Sequence, residues 1–333
     1  MARPRIAVTR RIPEPALERL AAAGELWVSE HDRPLAPDEL RDAVAGADAI
    51  VTLLHDRVDA ELLDAAGARL RCVANVAVGY DNVDVAAASA RGVLVTNTPG
   101  VLTEATADLA MALILAVTRR LGEGERLIRA RRPWSWHMFF MLGSGLAGKT
   151  LGIVGLGAIG AATARRARAF GMQIAYSARR RAPAALEAEL GGARRLELDE
   201  LLGGADVVSL HCPLTAETQH LIDARRLALM RPGAYLVNTA RGPVLDEAAL
   251  VAALRAGTIR GAALDVFEHE PDVHPGLLEL DSVVLVPHLG SATVETRTAM
   301  AELAAGNVLA VLAGRPALTP VNAGALAGTV QHN

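Results

Sequence analysis

Short apolar runs rich in valine, isoleucine and leucine alternate along this chain with longer Ala/Leu/Arg stretches of helical period, and that alternation leaves few folds open. Runs at residues 6–8, 49–54, 71–75 and 93–96 predict buried strands, with helices over 15–23 and near 38–45, 59–66 and 85–91 between them. Such a βαβ rhythm implies a parallel sheet covered by helices on both faces, because parallel strands need a crossover and the helix supplies it. Thr98-Pro99-Gly100 interrupts the pattern, and a long helix over 102–121 then leads as a bridge into a second series. That series starts with a strand at 151–154 and continues with strands at 173–177, 207–211, 234–238, 261–265 and 282–286, before a helix-rich stretch over 291–312. The expected fold class is α/β, with two doubly wound parallel-sheet domains, and 333 residues are enough for both.

Composition removes several function classes. The 34 Lys+Arg against 37 Asp+Glu leave a net charge of -3, without the basic excess that a nucleic-acid partner demands. Cys72 and Cys212 form no CxxC, which argues against a disulfide framework or a cysteine zinc site and for a reducing cytoplasm. The histidines have no ligand spacing either, so no metal is expected. Arginines arrive too early for a signal sequence, and the longest apolar stretch, 109–117, falls short of the roughly 18 residues of a membrane span.

Gly155-Leu156-Gly157-Ala158-Ile159-Gly160 is a GxGxxG between the strand at 151–154 and a helix predicted over 161–170. In that setting Gly155 permits the tight turn, Gly157 lets backbone approach a pyrophosphate, and Gly160 lets helix and strand pack closely. The motif alone is weak; between a strand and a helix it predicts a dinucleotide site. An NAD site would present an acid roughly 20 residues on, for the ribose 2′-hydroxyl. Here Tyr176-Ser177-Ala178-Arg179-Arg180-Arg181 follows, and no acid appears before Glu187. A hydroxyl and an arginine fork suit a 2′-phosphate, so NADP(H) is the expected cofactor, held by Ser177, Arg179 and Arg180, with NAD(H) as the alternative.

Three more segments deliver charged residues just after predicted strands: Asn238-Thr239-Ala240-Arg241-Gly242, Leu264-Asp265-Val266-Phe267-Glu268-His269-Glu270-Pro271 and Val286-Pro287-His288-Leu289-Gly290-Ser291-Ala292. Strand ends are where an open α/β sheet places its ligand crevice. An arginine, a carboxylate and a histidine there are the parts for reducing a 2-oxo acid. Each alone is as often an ion pair or a turn residue; their joint order is the signal.

With these segments, and with Val78-Gly79-Tyr80-Asp81-Asn82-Val83-Asp84 and Thr96-Asn97-Thr98-Pro99-Gly100-Val101-Leu102-Thr103, the chain resembles the D-isomer-specific 2-hydroxyacid dehydrogenase family, and within it the glyoxylate/hydroxypyruvate reductases. The resemblance runs from Ile6 to about Asn322. It implies NADPH-dependent reduction of glyoxylate or hydroxypyruvate to glycolate or D-glycerate. Arg241 would clamp the substrate carboxylate, His288 would protonate the developing alkoxide, and Glu270 would hold His288. A carboxylate partner favours the imidazolium, so reduction is expected to fade on the alkaline side.

The resemblance also implies that Leu53, Leu54, Val78 and Gly79 serve the substrate, the last two through backbone N–H groups. Thr106, Thr239, Ala240, Asp265 and Gly290 would line the cofactor, Asp265 accepting from its carboxamide. It implies a Rossmann domain, 100–288, inserted into a discontinuous flavodoxin-like substrate domain, 1–99 plus 289–333. The segment from Arg132 to Leu142 holds two of the three tryptophans and two of the four phenylalanines. In relatives the corresponding loop lies at a dimer interface, where Trp136 would reach the partner's substrate, although the stretch before it is shorter here. A homodimer is therefore expected. The alternatives are a reductase for other 2-oxo acids and a non-catalytic dinucleotide-sensing binding protein.

Overall fold

The computed structural model describes residues 3–324 and 326. The chain divides into two compact units, Met1–Leu102 with Thr293–Asn333, and Thr103–Ala292. The junctions lie three to four residues beyond 99/100 and 288/289, where the sequence reading put them.

The first unit is built on five strands: β1 (Arg5–Val8), β2 (Glu25–Val28), β3 (Ala49–Thr52), β4 (Cys72–Asn75) and β5 (Leu94–Thr96). All pair in parallel, in the order β2-β1-β3-β4-β5, the flavodoxin-like winding. Successive side chains of a strand face opposite ways, so each strand needs apolar residues throughout. Ala49 and Val51 pack with Ala301, Ala304 and Val308 of the helix Val294–Leu312. Ile50 packs on the other face with Leu40, Val44, Leu62 and Leu63. Asp59 and Asp84 accept from the Leu62 and Ala87 N–H groups and so cap the helices Ala60–Ala66 and Val85–Ala90. Asn322 ties the late chain to β5, accepting from the Val95 N–H at 2.9 Å.

The second unit holds seven parallel strands: β6 (Thr150–Val154), β7 (Gln173–Ser177), β8 (Arg194–Arg195), β9 (Val207–Leu210), β10 (Tyr235–Asn238), β11 (Gly261–Leu264) and β12 (Val283–Leu285). Their order is β12-β11-β10-β9-β6-β7-β8. The winding reverses between β6 and β9, and a crevice for ligand opens at such a point, beyond the carboxyl ends of the strands. Leu151, Ile153, Tyr235 and Val237 pack on one face of the sheet, and Val154, Val208, Leu210 and Leu236 on the other.

The long helix differs from expectation. It spans Thr103–Thr118, lies wholly inside the second unit, and packs on β10, β11 and the helix Ala158–Ala169 through Met111, Ile114 and Val117. It is a layer of that unit and no bridge. Arg120 takes a left-handed conformation (φ 57°), and a second helix follows over Leu121–Arg129. Among the described residues no helix is long and apolar enough to cross a membrane.

Candidate active site

The glycine loop sits at the winding reversal. Gly155, at φ 95°, donates its N–H to the Ser177 carbonyl at 2.9 Å. A Cβ there would lie 2.7 Å from the Cys212 nitrogen and 2.8 Å from the His211 carbonyl carbon, so only glycine fits. The helix begins at Ala158, three residues earlier than the sequence suggested, with Gly157 as its N-cap and no side-chain cap. Its leading N–H groups therefore lack intrahelical partners and present partial positive charge. Gly160 backs onto the Gly155 carbonyl, 2.3 Å from an added Cβ, while nothing stands within 4 Å of one at Gly157. Close backbone packing at two glycines and open space at the middle one suit an approaching pyrophosphate.

Among the described residues of this unit, three buried polar atoms have no hydrogen-bond partner: Thr163 Oγ1 within the helix Ala158–Ala169, His211 Nδ1, just past β9, and Thr239 Oγ1, just past β10. Burial pushes the His211 imidazole down to about 4, so the ring is neutral, and its Nε2 lies 2.9 Å from Ser209 Oγ. Orphaned polar atoms beyond strand ends call for a ligand, and with the glycine cradle they fit a dinucleotide. Sequence reasoning missed His211; its signal was a histidine closing an apolar strand beside the reversal.

Arg179 and Arg180 follow β7, are exposed, and form no hydrogen bond or ion pair with another described residue. Ser177, half-buried, ends the strand. Glu187, the nearest downstream acid, is already committed: it accepts from Tyr176 Oη at 2.5 Å and pairs with Arg181 at 2.9 Å. Arg181 first, and Tyr176 second, hold its carboxyl below the ordinary range.

The three catalytic candidates are set by loops after β10, β11 and β12. Arg241 precedes the 3-10 turn Gly242–Val244, and its carbonyl accepts from Asn238 Nδ2 at 2.9 Å. Glu270 and His288 meet directly: Oε2 lies 2.9 Å from Nδ1, and Glu270 Oε1 accepts from the Phe267 N–H at 3.1 Å. With Nδ1 so engaged, Nε2 is the ring nitrogen left for proton transfer. His288 is itself left-handed (φ 53°), and its N–H reaches the Asp265 carbonyl at 2.9 Å.

Asp265 does more than the sequence implied. Its buried carboxylate accepts from the Leu289 N–H and, at 2.9 Å, from the Gly290 N–H, so it holds the turn that presents His288. Burial pushes this carboxyl up, while the Leu289 N–H, the His288 charge and the Gly290 N–H pull it down. Thr106 Oγ1 donates to the Gly290 carbonyl at 3.1 Å, so Thr106, Asp265 and Gly290 do converge.

In the first unit, the loop after β4 is strapped by amides that sequence reasoning overlooked. Asn75 Nδ2 donates to the Gly79 carbonyl at 3.0 Å, and Asn97 Nδ2 to the Val78 carbonyl at 2.8 Å. Asn82 Nδ2 reaches the Leu53 carbonyl at 3.2 Å, and the Leu53 N–H donates to Asp56 at 2.8 Å. With these carbonyls pinned, the Val78 and Gly79 N–H groups donate to no other described residue. Leu53 and Leu54, half-buried, directly follow β3.

Trp136 is 75% exposed. Trp134 stacks on Phe140, with centroids 5.9 Å apart at 12°, while His137 tilts against the same ring. Leu121, Ile128, Met138 and Phe139 are exposed apolar neighbours in sequence. Among the described residues no group of three or more His, Cys, Asp or Glu could hold a metal ion.

The family model for the D-isomer specific 2-hydroxyacid dehydrogenase NAD-binding domain matches residues 111–290. A glyoxylate reductase of Thermococcus onnurineus is 50% identical over 324 residues, 96% of each chain. A Thermus thermophilus crystal structure superposes with a TM-score of 0.88 at 48% identity, covering 95% of this chain and 99% of that one. An NADPH-dependent glyoxylate/hydroxypyruvate reductase of Sinorhizobium meliloti, solved with NADP and malonate, gives a TM-score of 0.81 at 39% identity, covering 96% and 97%.

Proposed function

This chain belongs to the D-isomer specific 2-hydroxyacid dehydrogenase family, and from that premise we propose that it reduces glyoxylate and hydroxypyruvate to glycolate and D-glycerate with NADPH. The observation that carries the reading is the His288–Glu270 pair at 2.9 Å, standing with Arg241 on the strand-end loops of a dinucleotide-binding sheet.

A nicotinamide dinucleotide, when bound, would supply the hydride. Arg241 binds the substrate carboxylate as a charge-assisted fork and polarises the 2-oxo group. In the first unit, the Val78 and Gly79 N–H groups suit a substrate carboxylate, and Leu53 offers an apolar contact. His288 gives a proton from Nε2 to the oxygen on which negative charge develops, and Glu270 stabilises the imidazolium before that transfer. Gly155, Leu156, Gly157, Ala158, Ile159 and Gly160 cradle the pyrophosphate, while Thr106, Thr239, Ala240 and Gly290 line the cofactor.

Cofactor choice belongs to the same reading. Arg179 and Arg180, unpaired beside Ser177, suit a 2′-phosphate, and Glu187 is engaged elsewhere. A homodimer follows as well, built on the exposed apolar side chains around Trp134 and Trp136, with Trp136 serving the partner's substrate.

The test is absorbance at the nicotinamide band with purified protein, glyoxylate or hydroxypyruvate, and NADPH or NADH in parallel. A higher kcat/KM with NADPH supports the whole reading. NADH preference would keep the enzyme and remove the 2′-phosphate assignment. No oxidation of either cofactor would overturn the reductase itself.

A further inference from the structure

Beside the catalytic loops stands a cluster of charged groups that the chemistry above does not use. Glu247 opens the helix Glu247–Arg255 and is buried. Its N–H donates to Glu268 at 3.0 Å, and the Glu268 N–H donates back to Glu247 at 2.9 Å. Two backbone–carboxylate bonds thus close a ring between the segment after Arg241 and the segment before Glu270. His220 Nε2 contacts the second Glu268 oxygen. His220 is left-handed (φ 46°), and its N–H is anchored on the Pro243 carbonyl at 2.7 Å.

The two segments touch elsewhere. A Cβ at Gly242 would sit 1.9 Å from the Phe267 carbonyl carbon and 2.4 Å from the Glu268 nitrogen, so glycine alone admits this approach. Phe267, between them, donates its N–H to Glu270. Burying two carboxylates side by side is unfavourable, and burial and the Glu268 charge do push the Glu247 carboxyl up. A fold that keeps such a pair holds it with hydrogen bonds, and here the two backbone–carboxylate bonds run between the segments that carry Arg241 and Glu270, with His220 bracing Glu268 from a third.

We propose that Glu247, Glu268 and His220 form a latch that fixes Arg241 and Glu270 relative to each other, making them positioning residues for the reduction. The inference rests on the catalytic roles proposed above for Arg241, Glu270 and His288. Neither carboxylate of the latch needs to touch substrate; each acts through the backbone of a neighbouring loop.

The experiment measures steady-state glyoxylate reduction across pH, together with NADPH binding stoichiometry, on the full chain. Variants are Glu268→Ala, Glu268→Gln and His220→Ala, with Glu270→Gln as reference. Misplacing a catalytic group by a fraction of an ångström to 1 Å costs up to about 100-fold, so Glu268→Ala should lower kcat per NADPH-binding site by about 10- to 100-fold. The KM for NADPH should stay within about two-fold, because the glycine loop is untouched. The pH profile of reduction should change in the same direction as that expected for Glu270→Gln. Glu268→Gln keeps an oxygen for the Glu247 N–H and should restore most of the rate.

His220 is exposed, so His220→Ala should fold even where Glu268→Ala does not, and should lower kcat by about three-fold with the same shift. Wild-type rates and pH profiles in Glu268→Ala, or in His220→Ala where Glu268→Ala does not fold, would overturn the latch. A loss explained wholly by fewer NADPH-binding sites would overturn it too. If Glu270→Gln itself behaves as wild type, the catalytic reading fails and the latch with it.

Discussion

Asp265→Ala tests whether the turn presenting His288 is held by a carboxylate. Two bonds are lost, from the Leu289 and Gly290 N–H groups. Leu289 is exposed, so water can replace its partner; Gly290 is buried, so its N–H is left unsatisfied. An unsatisfied buried donor costs about 1–3 kcal/mol, and the exposed bond about 1 kcal/mol, giving roughly 2–4 kcal/mol in all. Asp265→Asn keeps the shape and one acceptor but turns an NH2 toward a donor, so about 1–3 kcal/mol is expected. The assays are denaturant unfolding and kcat, which should fall because His288 rides on the turn. A loss below about 0.5 kcal/mol with kcat within two-fold for Asp265→Ala would refute the reasoning. The pH dependence has a definite sign. Burial raises the Asp265 carboxyl, so the native state keeps that proton longer than the unfolded chain does. Its contribution is complete below the ordinary carboxylate range and declines as pH rises through the raised value. The stability gap between the native chain and Asp265→Asn should therefore narrow as pH rises across that window.

Asn97→Ala frees the Val78 carbonyl, held at 2.8 Å, and should raise the KM for glyoxylate several-fold while leaving the KM for NADPH unchanged; equal KM values would argue against the carboxylate cradle. Arg179→Ala and Arg180→Ala should each reduce kcat/KM for NADPH by about 5- to 30-fold with little change for NADH, an effect that weakens with added salt. Gly160→Ala places a Cβ 2.3 Å from the Gly155 carbonyl, and calorimetric titration should find NADPH binding weakened by at least about ten-fold.

The strands that fill both sheet cores were readable because buried parallel strands require continuous apolar runs, and 49–54 or 207–211 could hardly be anything else. The two that escaped are edges. In β2, Glu25 is exposed and the rest half-buried, while β8 is two exposed arginines paired only with β7. The helix Leu121–Arg129 went unread because it buries no residue and so leaves no core-facing stripe in the sequence. The site divides along the same physical line. Arg241, Glu270 and His288 announced themselves as charges set after strands, where the chain is short of reasons to put them. Asn75, Asn82 and Asn97 did not, because an asparagine's role lies in which carbonyl it reaches. Asn75 reaches Gly79 only four residues on, yet Asn82 reaches Leu53 across 29, and the residue type alone distinguishes neither.

The cofactor loop shows how an absence in the sequence gains force from a contact in the structure. Lack of an acid at the end of β7 argues for NADPH only if no nearby carboxylate swings in, and Glu187, ten residues on, is the first acid downstream. It is buried, bonded to Tyr176 and paired with Arg181, and its carboxyl is held low by both. Selectivity should then respond to a carboxylate installed at the strand end and ignore the one already present. Ser177→Asp would set a negative charge where a 2′-phosphate is proposed to bind. Like-charge juxtaposition of about 2–3 kcal/mol lowers kcat/KM for NADPH by roughly 30- to 150-fold, while NADH, with a 2′-hydroxyl to donate, is expected to gain. Glu187→Gln should leave the NADPH-to-NADH ratio within about two-fold, since the released Arg181 adds positive charge that is screened at the surface. Initial rates with both cofactors on the two variants decide it. A ratio that moves with Glu187→Gln and stays fixed with Ser177→Asp would mean that the selecting charge lies beyond the loop after β7.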